Sequence, residues 1–136
     1  MQDLGTLGGA NSLAYRINDR GQVAGYSETG AGETRHAFLV TDGVMRDLGT
    51  PPTLADSVAY DVNSLGEAVG AAASAPDAPG ARALLWQNGH TIDLNRLLPL
   101  NSGWTLEEAH AINSRGQIAG AGHFHGSPRA FLLTPR

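Results

Sequence analysis

The sequence predicts an all-β fold made of three similar units of about 45 residues. The first observation is a set of recurring pairs and runs, with spacings of 44 and 46, of 45 and 50, and of 46 and 47 residues. The recurring elements are the Asp-Leu pairs at Asp3, Asp47 and Asp93, the aliphatic-Asn pairs at Asn18, Asn63 and Asn113, and the apolar runs at Ala37, Ala83 and Ala130. Such a period identifies a repeat architecture, because each unit needs neighbours to bury its apolar face.

Composition and local alternation are the other two observations. The 136 residues include 18 glycines and 7 prolines, and only 16% are charged, which favours many short strands joined by turns. A hydrophobic content of 41% is enough for a packed core. We therefore predict a single repeat domain with units of approximately 1–45, 46–91 and 92–136.

The first unit shows four predicted strands in order. Residues 12–17 alternate between apolar and polar side chains, which is the period of a strand. The turn 18–21 contains Asn and Gly, and it predicts a hairpin with residues 22–27. After a loop at 29–33, residues 35–40 form the third strand, and residues 44–48 form the fourth beyond the turn 41–43.

The other two units repeat this plan, with one strand missing. Unit two has predicted strands at 58–62, 67–70, 82–86 and 90–94, and unit three at 109–112, 117–120 and 128–133. Residues 105–110 look helical but are too few for a stable helix. Residues 95–104 depart most from the repeat, so a segment with a specific role is expected there. Residues 2–4 resemble a fourth strand, and we expect them to complete the sheet of unit three and close a ring, either within one chain or between chains.

Two architectures fit this count. Four strands in 45 residues fit a propeller blade, whereas three such units in one chain also fit a β-trefoil. Propellers have four or more blades, so three would need a ring completed by oligomerisation, and two chains would supply six. The small residues of the Gln-Val-Ala-Gly strand suit crowding near an axis and favour the propeller, with the trefoil as the alternative.

Charge and cysteine content exclude several kinds of partner and site. The net charge is −4 and no cluster of Lys or Arg occurs, which argues against nucleic acid and anionic membranes. The absence of cysteine excludes disulfides and thiolate chemistry. Residues 1–4 do not resemble a signal peptide. Because Met1-Gln2-Asp3 aligns with residues 45–47, the chain is expected to be a piece of a longer protein cut at a repeat boundary.

Three segments of the chain match a known repeat pattern: DLGTLGGANSLAYRINDRGQVAGYS, RHAFLV and AINSRGQIAGAG. With these segments the chain closely resembles the HAF-type repeat of bacterial extracellular proteins. Unit two departs from the pattern, with Glu67 where the other units have Gln22 and Gln117, and with Arg82 where the family has His. The resemblance implies a secreted or surface-located propeller of four-stranded blades, and no catalytic set is associated with the motif.

Structural roles are the main interpretation of the recurring polar residues. The Asp and Asn residues of the repeat are expected to hold turns by bonding to nearby backbone amides. His36 is expected to make a hydrogen bond to a turn. His123 and His125 have a spacing that a metal could use, but two ligands do not make a site. We expect no metal and no cofactor.

A few residues could carry binding or chemistry. A sugar site needs aromatic rings beside polar groups, and the candidates are Tyr15, Tyr60, Trp86 and Trp104. Tyr15 and Tyr60 are equivalent positions, with His110 in the third unit, so this column could line an axis or a cleft. Glu107 and Glu108 near His110 are the best candidates for acid/base chemistry.

These observations predict a nonenzymatic, extracellular or cell-surface β-repeat module for binding or assembly. Its expected partner is itself, as a homo-oligomer. The first alternative is a glycan-binding, lectin-like protein that uses Tyr15, Tyr60, His110 and Trp104. The second is a hydrolase that uses Glu107, Glu108 or His110.

Overall fold

The computed structural model describes residues 1–30 and 34–136 and confirms the all-β prediction. Residues 31–33, which belong to the predicted loop 29–33, lie outside the described part. Within these described ranges, eleven strands form three separate antiparallel sheets of four, four and three strands. In each sheet every strand pairs with the next one along the chain.

The strand bounds follow the three units. Sheet 1 contains β1 (Gly8–Ile17), β2 (Val23–Thr29), β3 (Arg35–Thr41) and β4 (Val44–Asp47). Sheet 2 contains β5 (Asp56–Val62), β6 (Ala68–Ala73), β7 (Arg82–Gln87) and β8 (His90–Asp93). Sheet 3 contains β9 (Trp104–Ile112), β10 (Ile118–Phe124) and β11 (Ser127–Leu133). One turn of 3-10 helix, Leu94–Leu97, lies between β8 and β9.

Two local expectations differ from the structure. The helical-looking residues 105–110 lie within β9, because pairing with β10 outweighs a short stretch of helix propensity. Residues 2–4 belong to no strand. Strand-type pairing begins at Leu7, which forms an isolated bridge with Thr29. No strand pairing joins two sheets within the described ranges, in contrast to the continuous barrel of a trefoil.

The recurring Asn and Asp residues hold turns, as predicted. Asn63 Oδ1 accepts hydrogen bonds from the backbone amides of Leu65 and Glu67, both at 3.0 Å. Asn18 and Asn113 make the same pair of bonds. The Oδ1 atoms of Asp3, Asp47 and Asp93 each accept from the amide two residues later, at 2.8, 2.7 and 3.0 Å. Each unit therefore has the same two side-chain-closed turns.

The core lies between the sheets. Strand β5 packs against β2 and β3 of sheet 1, and β9 packs in the same way against β6 and β7 of sheet 2. The first interface contains Ala24, Ala37, Ala59, Val62, Ala68, Leu84 and Trp86. The second contains Val69, Ala83, Leu85, Leu106, Ala109, Ile112 and Phe131. Successive sheets thus use equivalent faces, and burial of these faces is the main stabilising contribution.

Polar contacts also join the sheets. The Arg35 guanidinium makes two bonds to the buried Asp56 carboxylate, at 2.9 and 2.8 Å, and links sheets 1 and 2. This hydrogen-bonded carboxylate raises the pKa of Arg35 above its ordinary value. Asp61 contacts Arg16 Nε at 3.0 Å through one oxygen and accepts from the Ile112 amide at 2.9 Å through the other. Asp61 therefore ties together the first strands of all three sheets.

Candidate functional site

The first strands of the three sheets bring Tyr15, Tyr60 and His110 together in one stack, which we call the aromatic column. The ring centroids of Tyr15 and Tyr60 are 5.4 Å apart, and those of Tyr60 and His110 are 5.1 Å apart. Tyr26 extends the stack, at 6.1 Å from Tyr15. The structure therefore places the predicted column of equivalent positions in direct contact across the sheets.

A β-bulge produces each member of the column. In sheet 2, Ala59 pairs with Gly70 and Asp61 pairs with Val69, so Tyr60 is the extra residue. The registers of the other sheets skip Tyr15 and His110 in the same way. A bulge bends the strand and redirects the extra side chain, which explains why the simple alternation of residues 12–17 does not describe Tyr15.

The bulges explain one glycine in each unit. A Cβ atom on Gly70 would lie 1.8 Å from the Val58 carbonyl oxygen, and Gly25 and Gly120 would meet the carbonyls of Leu13 and Glu108 at 1.9 and 2.0 Å. The bulged strand therefore approaches its neighbour at a distance that only glycine allows. This is the physical role of the glycine in the Gln-Val-Ala-Gly pattern.

The column lies among charged groups. His110 Nε2 is 2.8 Å from Glu108 Oε2, and Asp61 lies beside Tyr60 in the chain with its carboxylate bound to Arg16. Burial raises the pKa of the Tyr60 phenol, and the Glu108 carboxylate adds to the effect. Tyr15 is 47% exposed, so one end of the column is open to solvent.

Trp104 and the remaining histidines do not join the column. The Trp104 ring packs on Phe124 with centroids 4.9 Å apart, at the other end of β9, and it also contacts the core between sheets 2 and 3. His123 bonds to Glu107. His125 packs on Phe124, in the turn after β10. Among the described residues no group of three His, Asp or Glu side chains could hold a metal. His36 contacts Asp47, the residue that closes the turn after β4, at 2.7 Å.

Both candidate catalytic carboxylates have a histidine partner. Glu107 bonds to His123 and Glu108 to His110. Both carboxylates also line a cleft of about 290 Å³ that contains Asp56 and Arg35, and these two residues are paired with each other. The cleft is therefore polar, and four of its charged residues, Arg35, Asp56, Glu107 and Glu108, have side-chain partners.

A second, larger cleft of about 770 Å³ lies between sheets 2 and 3. Its lining is mainly apolar and includes Leu85, Ile118 and Leu133, together with Leu97 and Leu98 from the nonrepeating segment. The sequence analysis did not identify this cleft, although the departure of residues 95–104 from the repeat was a signal that this segment differs.

Two faces of the sheet stack are uncovered. On sheet 3, Ala119, Ala130 and Leu132 are exposed, with Leu132 at 65%, and we call them the trailing face. The equivalent residues of sheet 2, Val69, Ala83 and Leu85, are 0, 0 and 8% exposed.

The other uncovered face belongs to sheet 1. Ala14 and Ile17 of β1 are exposed, with Ile17 at 64%, and we call them the leading face. Their equivalents Ala59 and Val62 are 0 and 4% exposed, because they pack on sheet 1. The same columns of residues are thus core in one sheet and surface in another.

Asparagine side chains form a ladder of hydrogen bonds from sheet to sheet, and this ladder ends at sheet 3. Asn18 Nδ2 donates to the Asn63 carbonyl at 2.8 Å, and Asn63 Nδ2 donates to the Asn113 carbonyl at 3.0 Å. Asn113 Nδ2 bonds to Gln117 and, in the part of the chain that the structure describes, has no carbonyl of a following sheet to meet. Sequence analysis predicted the turns but missed this second role of the asparagines.

Comparison of the chain with protein family models, with curated proteins and with solved structures found no match. The resemblance to HAF-type repeats therefore remains a prediction from the sequence. In the described ranges, no helix has the length and hydropathy required to cross a membrane.

Proposed function

We propose that this protein is a nonenzymatic, extracellular β-repeat module whose role is assembly and binding, and that it associates with itself into a propeller-like ring. One observation carries the proposal. The leading and trailing faces are equivalent to the two sides of each internal interface, and both are exposed at the ends of the stack. The HAF-like sequence supports the extracellular location.

The internal interfaces show what a partner must provide. Strand β5 lies on β2 and β3, and β9 lies on β6 and β7, so the equivalent occupant of β10 and β11 is a β1 strand. The leading face supplies that strand in a second copy. A contact between two different faces of identical chains is heterologous, and it forms a closed ring if the rotation closes.

This proposal predicts a mass above one chain in solution. Light scattering across a concentration series should give two or more times 14.1 kDa. Leu132→Asp should shift the mass to a single chain, because it places a charge in the buried centre of the interface. Leu100→Asp is the matched control, since Leu100 is exposed like Leu132 but lies outside both faces. A single-chain mass for the unmodified protein at every concentration would contradict the proposed assembly.

Glycan binding is a second candidate, favoured by the aromatic column. Tyr15 offers a half-exposed ring, and the ion pair of Glu108 and His110 places hydrogen-bonding groups on the same column. If a sugar stacks there, a glycan array should show saturable binding that Tyr15→Ala weakens roughly tenfold. Val44→Ala, at an exposed site on β4, is the control. No saturable binding to any glycan would exclude this candidate.

A further inference from the structure

In the part of the chain that the structure describes, sheet 3 has three strands, whereas sheets 1 and 2 have four. In sheets 1 and 2 the third strand pairs with a fourth, with Phe38 opposite Asp47 and Leu84 opposite Asp93. In the described part of sheet 3, β11 is the edge strand. An edge strand presents unpaired backbone groups that can pair with another chain.

A charge pair accompanies each fourth strand. Asp47 Oδ2 lies 2.7 Å from His36 Nδ1, and Asp93 Oδ2 lies 2.8 Å from the Arg82 guanidinium. The residue in the same position of β11 is Arg129, which is exposed and bonds only to the carbonyl of its neighbour Pro128 among the described contacts. Among the described contacts, Arg129 therefore has no carboxylate partner, in contrast to His36 and Arg82.

Residues 1–4 contain a carboxylate, that of Asp3, whose turn is closed in the same way as the equivalent turn of Asp47. Asp3 Oδ1 already closes its turn with the Gly5 amide, as Asp47 does with Gly49, and no ion pair to Asp3 occurs within the described ranges. The side-chain amide nitrogen of Gln2 would lie 3.8 Å from a Cβ atom placed on Gly43. The equivalent residues one unit later, Arg46 and Gly89, line one cleft together. Residues 1–4 thus run beside sheet 1 as residues 45–48 run beside sheet 2.

We infer that residues 1–3 of one copy add to β11 of a second copy as the fourth strand of its sheet 3, with Asp3 paired to Arg129. This deepens the proposed function, because it rests on the association of copies and names the strand that joins them. The register follows from sheets 1 and 2 and places Asp3 opposite Phe131 and Gln2 opposite Leu132. The Leu4 amide then donates to the Ala130 carbonyl, as the Leu48 amide donates to Ala37 at 2.9 Å.

The same placement also covers the trailing face and extends the asparagine ladder. In the joined copy, β1 follows directly from the added strand and covers the trailing face, as β5 follows β4 and covers β2 and β3. Asn113 Nδ2 then meets the Asn18 carbonyl of the added copy, which continues the ladder seen at Asn18 and Asn63. One head-to-tail contact therefore pairs the edge strand β11, covers the trailing face, gives Arg129 a carboxylate partner and gives Asn113 Nδ2 a carbonyl acceptor.

Disulfide trapping tests the register directly, because the natural chain contains no cysteine. Gln2 and Leu132 would be directly opposite in the new strand pair, at a distance that a disulfide can span. The variant with Gln2→Cys and Leu132→Cys should form covalent species of two or more chains on mild oxidation. The matched control, with Gln2→Cys and Leu100→Cys, should remain single-chain. A disulfide confined within one chain, or equal trapping in the control, would overturn the inference.

Exchanging the charges of Asp3 and Arg129, and measuring the dissociation constant by light scattering, gives a second and independent test. Asp3→Arg alone and Arg129→Asp alone should each raise the dissociation constant roughly fivefold to tenfold, because each creates a like-charge contact across the strands. The double variant should restore the affinity. If the unmodified protein associates but neither trapping nor charge rescue occurs, the strand exchange is wrong while the proposed assembly stands. If the unmodified protein is a single chain, both are wrong.

Discussion

Replacing Gly70 by alanine is expected to destabilise the fold by roughly 3 kcal/mol or more, enough to unfold a small marginally stable domain. The new Cβ atom would lie 1.8 Å from the Val58 carbonyl oxygen and 3.0 Å from the Ala59 Cα. Neither contact can be relieved by a side-chain rotation, since both atoms belong to the backbone of β5. Relief requires the bulge at Tyr60 to open and the strand pairing to separate.

The measurement is urea unfolding followed by circular dichroism, with Gly30→Ala as the control. Gly30 has no positive φ, and its Cβ would approach no atom of the described residues closer than 3.6 Å, so the free energy of unfolding of this variant should stay within about 0.5 kcal/mol of the unmodified protein. Equal midpoints for the two variants would show that the bulge is not held as described. Gly25→Ala and Gly120→Ala should behave like Gly70→Ala, because their Cβ atoms meet carbonyl oxygens at 1.9 and 2.0 Å.

The second large effect is expected for Asn63→Ala, with a loss of about 2–4 kcal/mol. Asn63 is only 4% exposed, and its side chain makes four hydrogen bonds. Its removal leaves the backbone amides of Leu65 and Glu67 without their acceptor, whereas the Asn113 carbonyl keeps the bond from the Gly116 amide. Because these bonds are part-buried, the amides that lose their acceptor carry part of the cost of desolvation.

Asn113→Ala is the matched control for this variant. Asn113 closes an identical turn, but it is exposed and donates to no following sheet among the described residues. Its loss should cost about 1 kcal/mol, because water can reach the freed groups. Both variants should be measured in the Leu132→Asp background, so that association contributes to neither. Equal costs would mean that the bond between Asn63 and Asn113 adds nothing to the stability.

Much of the local structure could be predicted from particular residues. The alternation in residues 12–17 and the turn signals after each strand located the hairpins, because strand period and positive-φ turns are local properties. The turn roles of Asn18 and Asp47 were predictable for the same reason: their acceptors and donors lie two to four residues apart in the chain.

The column was predicted as a set of equivalent positions but not as a stack. Equivalence of Tyr15, Tyr60 and His110 follows from the repeat alone. Their contact depends on a bulge in each strand and on face-to-face packing of the sheets, and neither can be inferred from period-two alternation. Residues 2–4 illustrate the reverse case. Their pattern is that of a strand, but a strand forms only where an edge is available to pair with.

The sequence by itself determined most of the strands, the turns and the number of units, because these depend on neighbouring residues and on the repeat period. Only the tertiary structure decided which faces are covered, which residue of each strand is bulged, and that Asp61 joins three sheets. These features depend on contacts between residues about 45 to 51 positions apart, for example Asn18 with Asn63 and Asp61 with Ile112. Such contacts arise from packing one sheet on the next, and no local pattern in the chain specifies their geometry.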